Sequence, residues 1–254
     1  MLRRVALRIP HDDVEIATAW LLDRFPDGLE EQSFGGVVEL AVFTDEAGEV
    51  VVRDGFSDVR SETVVPGWEN RWKEFHRPVR AGGLWIGPPW SPAPPGERTV
   101  VVDPGRAFGT GAHPTTRACI ELLARVERGS LLDAGCGSGV VAIAAVRLGF
   151  GPVHAVDLDE DAVEVATSTA RANGVEVHVR RADVVRDVLP GTAVVVANIE
   201  LAVVELLLGR LVSSVAVTSG YLASETPAVS GWTCVDRLER DGWAADVLSR
   251  TTLS

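Results

Sequence analysis

Between residues 131 and 139 the chain reads Leu-Leu-Asp-Ala-Gly-Cys-Gly-Ser-Gly, a hydrophobic run entering a turn with glycine at every second position. Such a turn lets bare backbone approach a ligand and aims the first amides of the following helix at it. Asp157 closes the next apolar run, 22 residues after Gly135, where a carboxylate can accept hydrogen bonds from both hydroxyls of a ribose. Strand, glycine turn, helix, strand and acid together describe a nucleotide-binding βαβ unit. The alternation continues on both sides of it: residues 100–102, 130–133, 153–157, 177–180, 193–198 and 214–219 read as strands, with helical periodicity at 140–148 and 161–173. This predicts an α/β domain over 100–254, a mostly parallel, doubly wound sheet covered on both faces. Ligands in such folds bind beyond the carboxyl ends of the strands, where strand order reverses.

Residues 1–62 follow a different grammar. A strand at 5–9 precedes a helix started by Asp12 and Asp13, with Val14, Ala17, Leu21 and Leu22 along one face. A second strand spans 37–43 after Gly35-Gly36, and a third spans 50–52 after a Glu-Ala-Gly turn signal. The expectation is a small α+β, ferredoxin-like domain close to the lower size limit for independent folding. Residues 63–99 read as a linker. Trp68, Trp72 and Phe75 mark one face of a connecting helix, and residues 87–96, with five prolines in ten positions, form an extended connection.

Composition removes several function classes. The chain of 254 residues is 46% hydrophobic and 24% charged, as globular proteins are, and its apolar runs are too short for a membrane span. No secretory signal follows the early arginines, which predicts a cytoplasmic protein. Cys119, Cys136 and Cys234 lie far apart and form no cluster with the histidines, so neither a disulfide framework nor a metal site is expected. The net charge of −12 divides evenly, −6 in residues 1–98 and −6 in the remainder. A uniformly acidic surface repels phosphate backbones and attracts basic proteins, so no direct nucleic-acid binding is expected.

The identity of the nucleotide turns on one acid. A nicotinamide dinucleotide site seats a pyrophosphate with GxGxxG, whereas here the spacing is GxGxG with Asp133 two residues before the first glycine. An acid beside the turn opposes a pyrophosphate and suits an ammonium group. S-adenosylmethionine carries an ammonium and a sulfonium and no phosphate, and the turn resembles the first motif of the Rossmann-like class I methyltransferases. That resemblance implies S-adenosyl-L-methionine as cofactor and S-adenosyl-L-homocysteine as product. Gly135 and Gly137 would then form the turn, Asp157 would bind the ribose, and Asp183 would reach the adenine amino group. The bland alternative for Asp133 and Asp183 is a solvated or turn-capping acid. Asn198, at the end of the run Val194-Val195-Val196-Ala197, stands where such enzymes hold the group to be methylated. Its carboxamide oxygen can accept from an amine N–H and aim the nitrogen lone pair at the methyl carbon, although asparagine at a strand end is also a common turn former. Methyl transfer from a sulfonium is an in-line displacement, so positioning and desolvation can supply most of the catalysis. A water-poor pocket also lowers the pKa of the incoming ammonium.

A more specific pattern stands ahead of the turn. Residues 102–116, Val-Asp-Pro-Gly-Arg-Ala-Phe-Gly-Thr-Gly-Ala-His-Pro-Thr-Thr, resemble the signature DPGxAFGTGxHxTT of the bacterial methyltransferases that modify protein eleven of the large ribosomal subunit. Trp68 to His76, Leu84-Trp85-Ile86, residues 139–145 and Ser219-Gly220-Tyr221-Leu222 are similar to the same family, and the resemblance covers about residues 66 to 225. It implies a protein N-methyltransferase acting on lysine or α-amino groups of that basic ribosomal protein, with residues 1–62 recruiting the substrate and a monomer as the expected form. It also implies that Thr116, Gly135, Asp157 and Asn198 contact the cofactor, and that Phe108, Gly109, Thr110 and Gly111 line or cover its methionine end as a closing loop. His113, a loop histidine beside proline, reads as structural ahead of a general base. The run after Asn198 departs from the family's Asn-Ile-Leu-Ala in carrying Glu200, which either touches an incoming ammonium or starts the next helix. Residues 1–60 match the family's recognition domain only in size and pattern. Alternatives are the same chemistry on another protein's lysines, or a non-catalytic, cofactor-retaining ribosome-assembly or protein-binding module. A nicotinamide oxidoreductase would need a pyrophosphate-binding GxGxxG and a hydride-transfer site, and the sequence offers neither.

Overall fold

In the computed structural model, residues 3–10, 13–25, 29–34, 37–64, 77–103 and 111–251 are described. They fall into two compact units, Met1–Trp72 and Lys73–Ser254. The expected helix at 68–75 lies outside the described residues.

The first unit runs β1 (Arg3–Pro10), α1 (Val14–Arg24), β2 (Glu30–Phe34), β3 (Val37–Thr44), α2 (Glu46–Gly55) and β4 (Val59–Thr63). Its four strands pair antiparallel in the order β2-β3-β1-β4. This is the ferredoxin-like split βαβ arrangement. Val5, Leu7, Leu21, Val38, Leu40 and Val52 are buried together as its core.

One element is corrected. The expected strand at 50–52 is part of helix α2. The Asp45 side chain accepts the Gly48 N–H at 2.9 Å as an N-cap, and Arg53 pairs with Glu49 one turn earlier at 2.8 Å. Topology explains why three consecutive valines fail to make a strand. β3 and β4 flank β1 and both run antiparallel to it, so they are parallel to each other and need a helical crossover between them. The cap and the crossover outweigh β-propensity. Strands β2 and β4, Glu-Glu-Gln-Ser-Phe and Val-Arg-Ser-Glu-Thr, were invisible to a hydrophobic pattern because they are the polar edges of the sheet.

The second unit begins with a three-stranded sheet, β5 (Val79–Ala81), β6 (Leu84–Gly87) and β7 (Thr99–Val101). The segment read as linker is thus built into this unit from residue 79 onward: Ala81, Leu84, Ile86 and Val100 share one buried core with Ile120, Leu123 and Ile143. The proline-rich residues 88–95 carry the chain between β6 and β7, which pair in parallel. Asn173 ties β7 down through both main-chain groups of Val101, at 2.8 and 2.7 Å.

Next come α3 (Pro114–Leu123), β8 (Leu131–Ala134), α4 (Val140–Leu148), β9 (Val153–Asp157), α5 (Glu160–Ala172) and β10 (His178–Arg181). β11 (Val194–Asn198), α6 (Leu201–Arg210), β12 (Val215–Leu222), β13 (Trp232–Arg240) and β14 (Trp243–Arg250) complete the unit. The seven-stranded sheet has the order β10-β9-β8-β11-β12-β14-β13. Strands β10 through β12 are all parallel, and the β13–β14 hairpin closes one edge antiparallel. The chain leaves β8 toward β9 on one side and returns to β11 on the other, so the switch point lies between β8 and β11. The hairpin turns at Asp241-Gly242, both at positive φ (52° and 83°), as a tight two-residue loop requires. Among the described residues, no helix is long and apolar enough to cross a membrane.

Candidate active site

The switch point opens into a cleft of about 1300 Å³. Its wall takes Gly135, Cys136 and Gly137 from the turn after β8, Asp157 and Leu158 from the end of β9, and Asp183 to Arg186 from the turn after β10. Asn198, Ile199 and Glu200 come from the end of β11, and Thr115 and Thr116 from the start of α3.

The glycine turn is fixed by what surrounds it. Gly135 and Cys136 both donate their N–H to the Val156 carbonyl, at 2.8 and 3.0 Å, binding the turn to β9. Gly135 has φ +81°, and a Cβ there would lie 2.5 Å from Ile199 Cγ2. Both the backbone conformation and the space therefore demand glycine. Gly137 donates its N–H to Asp157 Oδ2 at 2.9 Å, and Asp157 Oδ1 accepts from the Asp159 amide at 3.1 Å. A carboxylate has about four lone-pair sites, so Asp157 can be held this way and still accept hydroxyl donors from a ligand.

Asp133 is 2% exposed and accepts the Ala142 N–H at 2.9 Å, pinning the first turn of α4 to the end of β8. Burial pushes its carboxyl up to about 7; the Ala142 hydrogen bond opposes that shift and the nearby charge of Asp157 adds to it. Asp183 organises its own turn: its Oδ1 accepts the Val185 N–H at 2.8 Å, and its amide donates to Asp187 Oδ2 at 2.8 Å. The capping role is therefore real, and Asp183 also faces the cleft.

Asn198 donates from Nδ2 to Thr116 Oγ1 at 3.3 Å, joining the end of β11 to the start of α3. Thr116 is only 3% exposed. With its nitrogen engaged, Asn198 keeps its carbonyl oxygen as an acceptor. His113 caps α3: its Nδ1 lies 2.8 Å from Thr115 Oγ1 and 3.4 Å from the Thr115 amide, and its ring meets Trp243 edge-on at 5.2 Å. Gly111, at φ +80°, is held close to Ile86 and Val140 and is not part of the cleft wall formed by the described residues. Phe108, Gly109 and Thr110 lie outside the described residues.

Several wall residues are not among the candidate site residues of the sequence, and Gly220 enters there only within the family-similar run 219–222. Gly220 sits in a bulge of β12 between Ser219 and Tyr221, with φ +103°, and only the absence of a side chain lets the Ile199 carbonyl fit against it. Ile199 also donates its N–H to the Ser219 carbonyl at 3.0 Å. The main chain between Asn198 and Glu200 is thus clamped by the β12 bulge and the glycine turn. Below the bulge, the Tyr221 hydroxyl donates to the fully buried Asp246 at 2.8 Å, and Arg237 meets the same carboxylate at 3.2 Å. Trp243 reaches the wall from the terminal hairpin, and Leu158, Val203 and Leu206 make it largely apolar.

Residues 43–250 match the family model described as Ribosomal protein L11 methyltransferase (PrmA). The chain belongs to this family. A ribosomal protein L11 methyltransferase of Pelobacter propionicus is 40% identical over 222 residues, covering 79% of this chain and 71% of that protein. The Dictyoglomus thermophilum relative is 35% identical over 192 residues, 69% of this chain and 64% of its own length. For the Dechloromonas aromatica protein the values are 45% over 138 residues, 51% of this chain and 46% of the relative. The chain thus spans from about half to about two thirds of the length of these L11 methyltransferases. The crystal structure of a ribosomal protein L11 methylase from Lactobacillus delbrueckii subsp. bulgaricus superposes with a TM-score of 0.63 at 25% identity, covering 69% of this chain and 100% of that one. The family match includes every described residue of the cleft wall and starts inside β3.

Proposed function

We propose that this protein is an S-adenosylmethionine-dependent protein N-methyltransferase, with lysine or α-amino groups of ribosomal protein L11 as its substrate. The observation that carries the reading is the meeting of Asn198 and Thr116 across the switch point from the glycine turn and Asp157. The residues present fit the cofactor. The cleft offers acids and apolar side chains to a cationic nucleoside, and Gly135 keeps its backbone bare where a Cβ would collide with Ile199. At about 1300 Å³ it exceeds the roughly 300–1,000 Å³ of single small-molecule sites, leaving room for part of a second reactant.

Asp157 would hold the ribose hydroxyls, Asp183 the adenine amino group, and Asp133 would face the ammonium end. When bound, the cofactor supplies an activated methyl group for in-line displacement. Asn198, steadied by Thr116, would accept an N–H of the target amine at its carbonyl oxygen and so orient the nitrogen lone pair. The apolar wall of Leu158, Val203 and Leu206 displaces water, which favours the neutral, nucleophilic amine. An acidic chain, with net charge −12, suits a basic protein substrate. The family match begins only at residue 43, which keeps one second reading in play: the same transfer to amines of another protein.

Incubation with labelled S-adenosylmethionine and purified L11, followed by mass spectrometry of the product, tests the proposal. Methyl groups on L11 nitrogens are expected. Label confined to another protein of a cell extract would support the second reading, and no transfer at all would overturn both.

A further inference from the structure

We propose that Glu200 is a substrate-binding residue that receives the cationic head of the target lysine at the mouth of the cleft and sets the preference for an amine; this rests on the methyltransferase reading above. Glu200 lies two residues beyond Asn198 and lines the same cleft. The other three carboxylates of the wall are committed to the fold: Asp133 holds the Ala142 amide, Asp157 the Gly137 amide and Asp183 the Val185 amide. Glu200 is not. It occupies the N-cap position of α6, yet only its main-chain carbonyl serves the helix, accepting from Val203 and Val204 at 3.0 Å each, and its side chain makes no capping hydrogen bond.

Aspartate at an N-cap bends back onto the first-turn amides, whereas the longer glutamate side chain here does not. Here the carboxylate stays exposed at the cleft. Its placement is nonetheless firm, because Ile199, the residue joining it to Asn198, is locked between the Ser219 carbonyl, Gly220 and Gly135. A carboxylate on rigid backbone beside the amine-orienting asparagine is preorganised for a cation. One turn along, Val203 and then Leu206, which is 59% exposed, line the cleft from the same face of α6. An acid followed by apolar surface matches a lysine, whose methylene stem packs on apolar groups while its ammonium seeks a polar partner. A hydroxyl or carboxylate nucleophile would gain nothing from that arrangement.

The test is initial-rate methylation of purified L11 by wild type, Glu200→Gln and Glu200→Asp at low and high salt, with S-adenosylhomocysteine affinity measured for each. Loss of one charge-assisted contact should raise KM for L11 roughly ten-fold in Glu200→Gln. In that variant kcat and cofactor affinity should hold, and the salt dependence of KM should weaken. Glu200→Asp should recover most of the loss. An unchanged KM, a loss carried by kcat or by cofactor affinity, or equal loss in both variants would overturn the role of Glu200 while leaving the enzyme reading intact. Failure of the wild type to methylate L11 would overturn the reading itself and this role with it.

Discussion

The two units of the chain differ in what holds their residues in place. In Lys73–Ser254 specific hydrogen bonds hold the site, Asp157 on the Gly137 amide, Asp133 on the Ala142 amide and Asn198 on Thr116, and each must have its particular chemistry. In Met1–Trp72 the core is Val, Leu and Ile between a sheet and two helices, where many apolar residues of similar volume would serve. Chemistry fixes residue identity, whereas packing fixes only pattern. The family match follows that division, covering the whole second unit up to residue 250 and reaching the first only from residue 43.

The contrast can be broken or sharpened by substitution. Leu21→Ala removes a fully buried side chain from the first unit and should destabilise that unit by about 2–5 kcal/mol. S-adenosylhomocysteine affinity, measured by calorimetry below the first melting transition, should not change, because every residue of the cleft wall belongs to the second unit. A parallel loss of affinity would mean that the units cannot be treated separately. Asn198→Ala should lower kcat roughly 100- to 1000-fold, a magnitude typical of losing a group that orients or stabilises the reacting atoms. Cofactor affinity should stay within a few-fold, and equal losses in binding and turnover would make Asn198 a cofactor ligand alone. Asp157→Ala removes the acceptor that holds the Gly137 amide and weakens cofactor binding roughly 10- to 100-fold by calorimetry.

The smallest effect is a pH dependence. The Asp133 carboxyl is raised from an ordinary 3.8 to about 7, so the folded protein binds a proton there more tightly than the unfolded chain. The stability this contributes is fully present below about pH 4 and is lost as pH rises through about 7. Denaturant titrations from pH 4 to 8 should show that fall, and Asp133→Asn should flatten it. Cofactor affinity should run the opposite way, weakening as pH drops below about 7, because only the ionised acid attracts an ammonium.

Legibility in the sequence follows the same line. The parallel strands β8, β9 and β11 are legible to within a residue or two because both faces are largely buried and their runs are mostly apolar. The β13–β14 hairpin is hard to see in the sequence although Asp241-Gly242 is a turn signal, since the exposed, charged β13 carries no hydrophobic pattern. Residues 79–99 read as linker because β5 and β6 are short and prolines separate β6 from β7, and their burial depends on partners distant in sequence, such as Ile120 and Ile143. Within the site, the acids, glycines and Asn198 sit at strand ends and were legible there. Ile199 and Trp243 were not, and Gly220 only as part of the family-similar run 219–222, because their roles exist only once β11, β12 and β14 lie side by side. The helix at 46–55 is not legible in the sequence because Val50, Val51 and Val52 favour a strand locally, while the crossover that forces a helix is a property of the whole sheet.

The most direct measurement is a crystal structure of the protein with S-adenosylhomocysteine. Ribose hydroxyls are expected on Asp157, the nucleoside along the glycine turn, and the sulfur end nearest to Asn198. A ligand bound away from residues 135–137, or one whose sulfur faces away from Asn198, would contradict this assignment of the site.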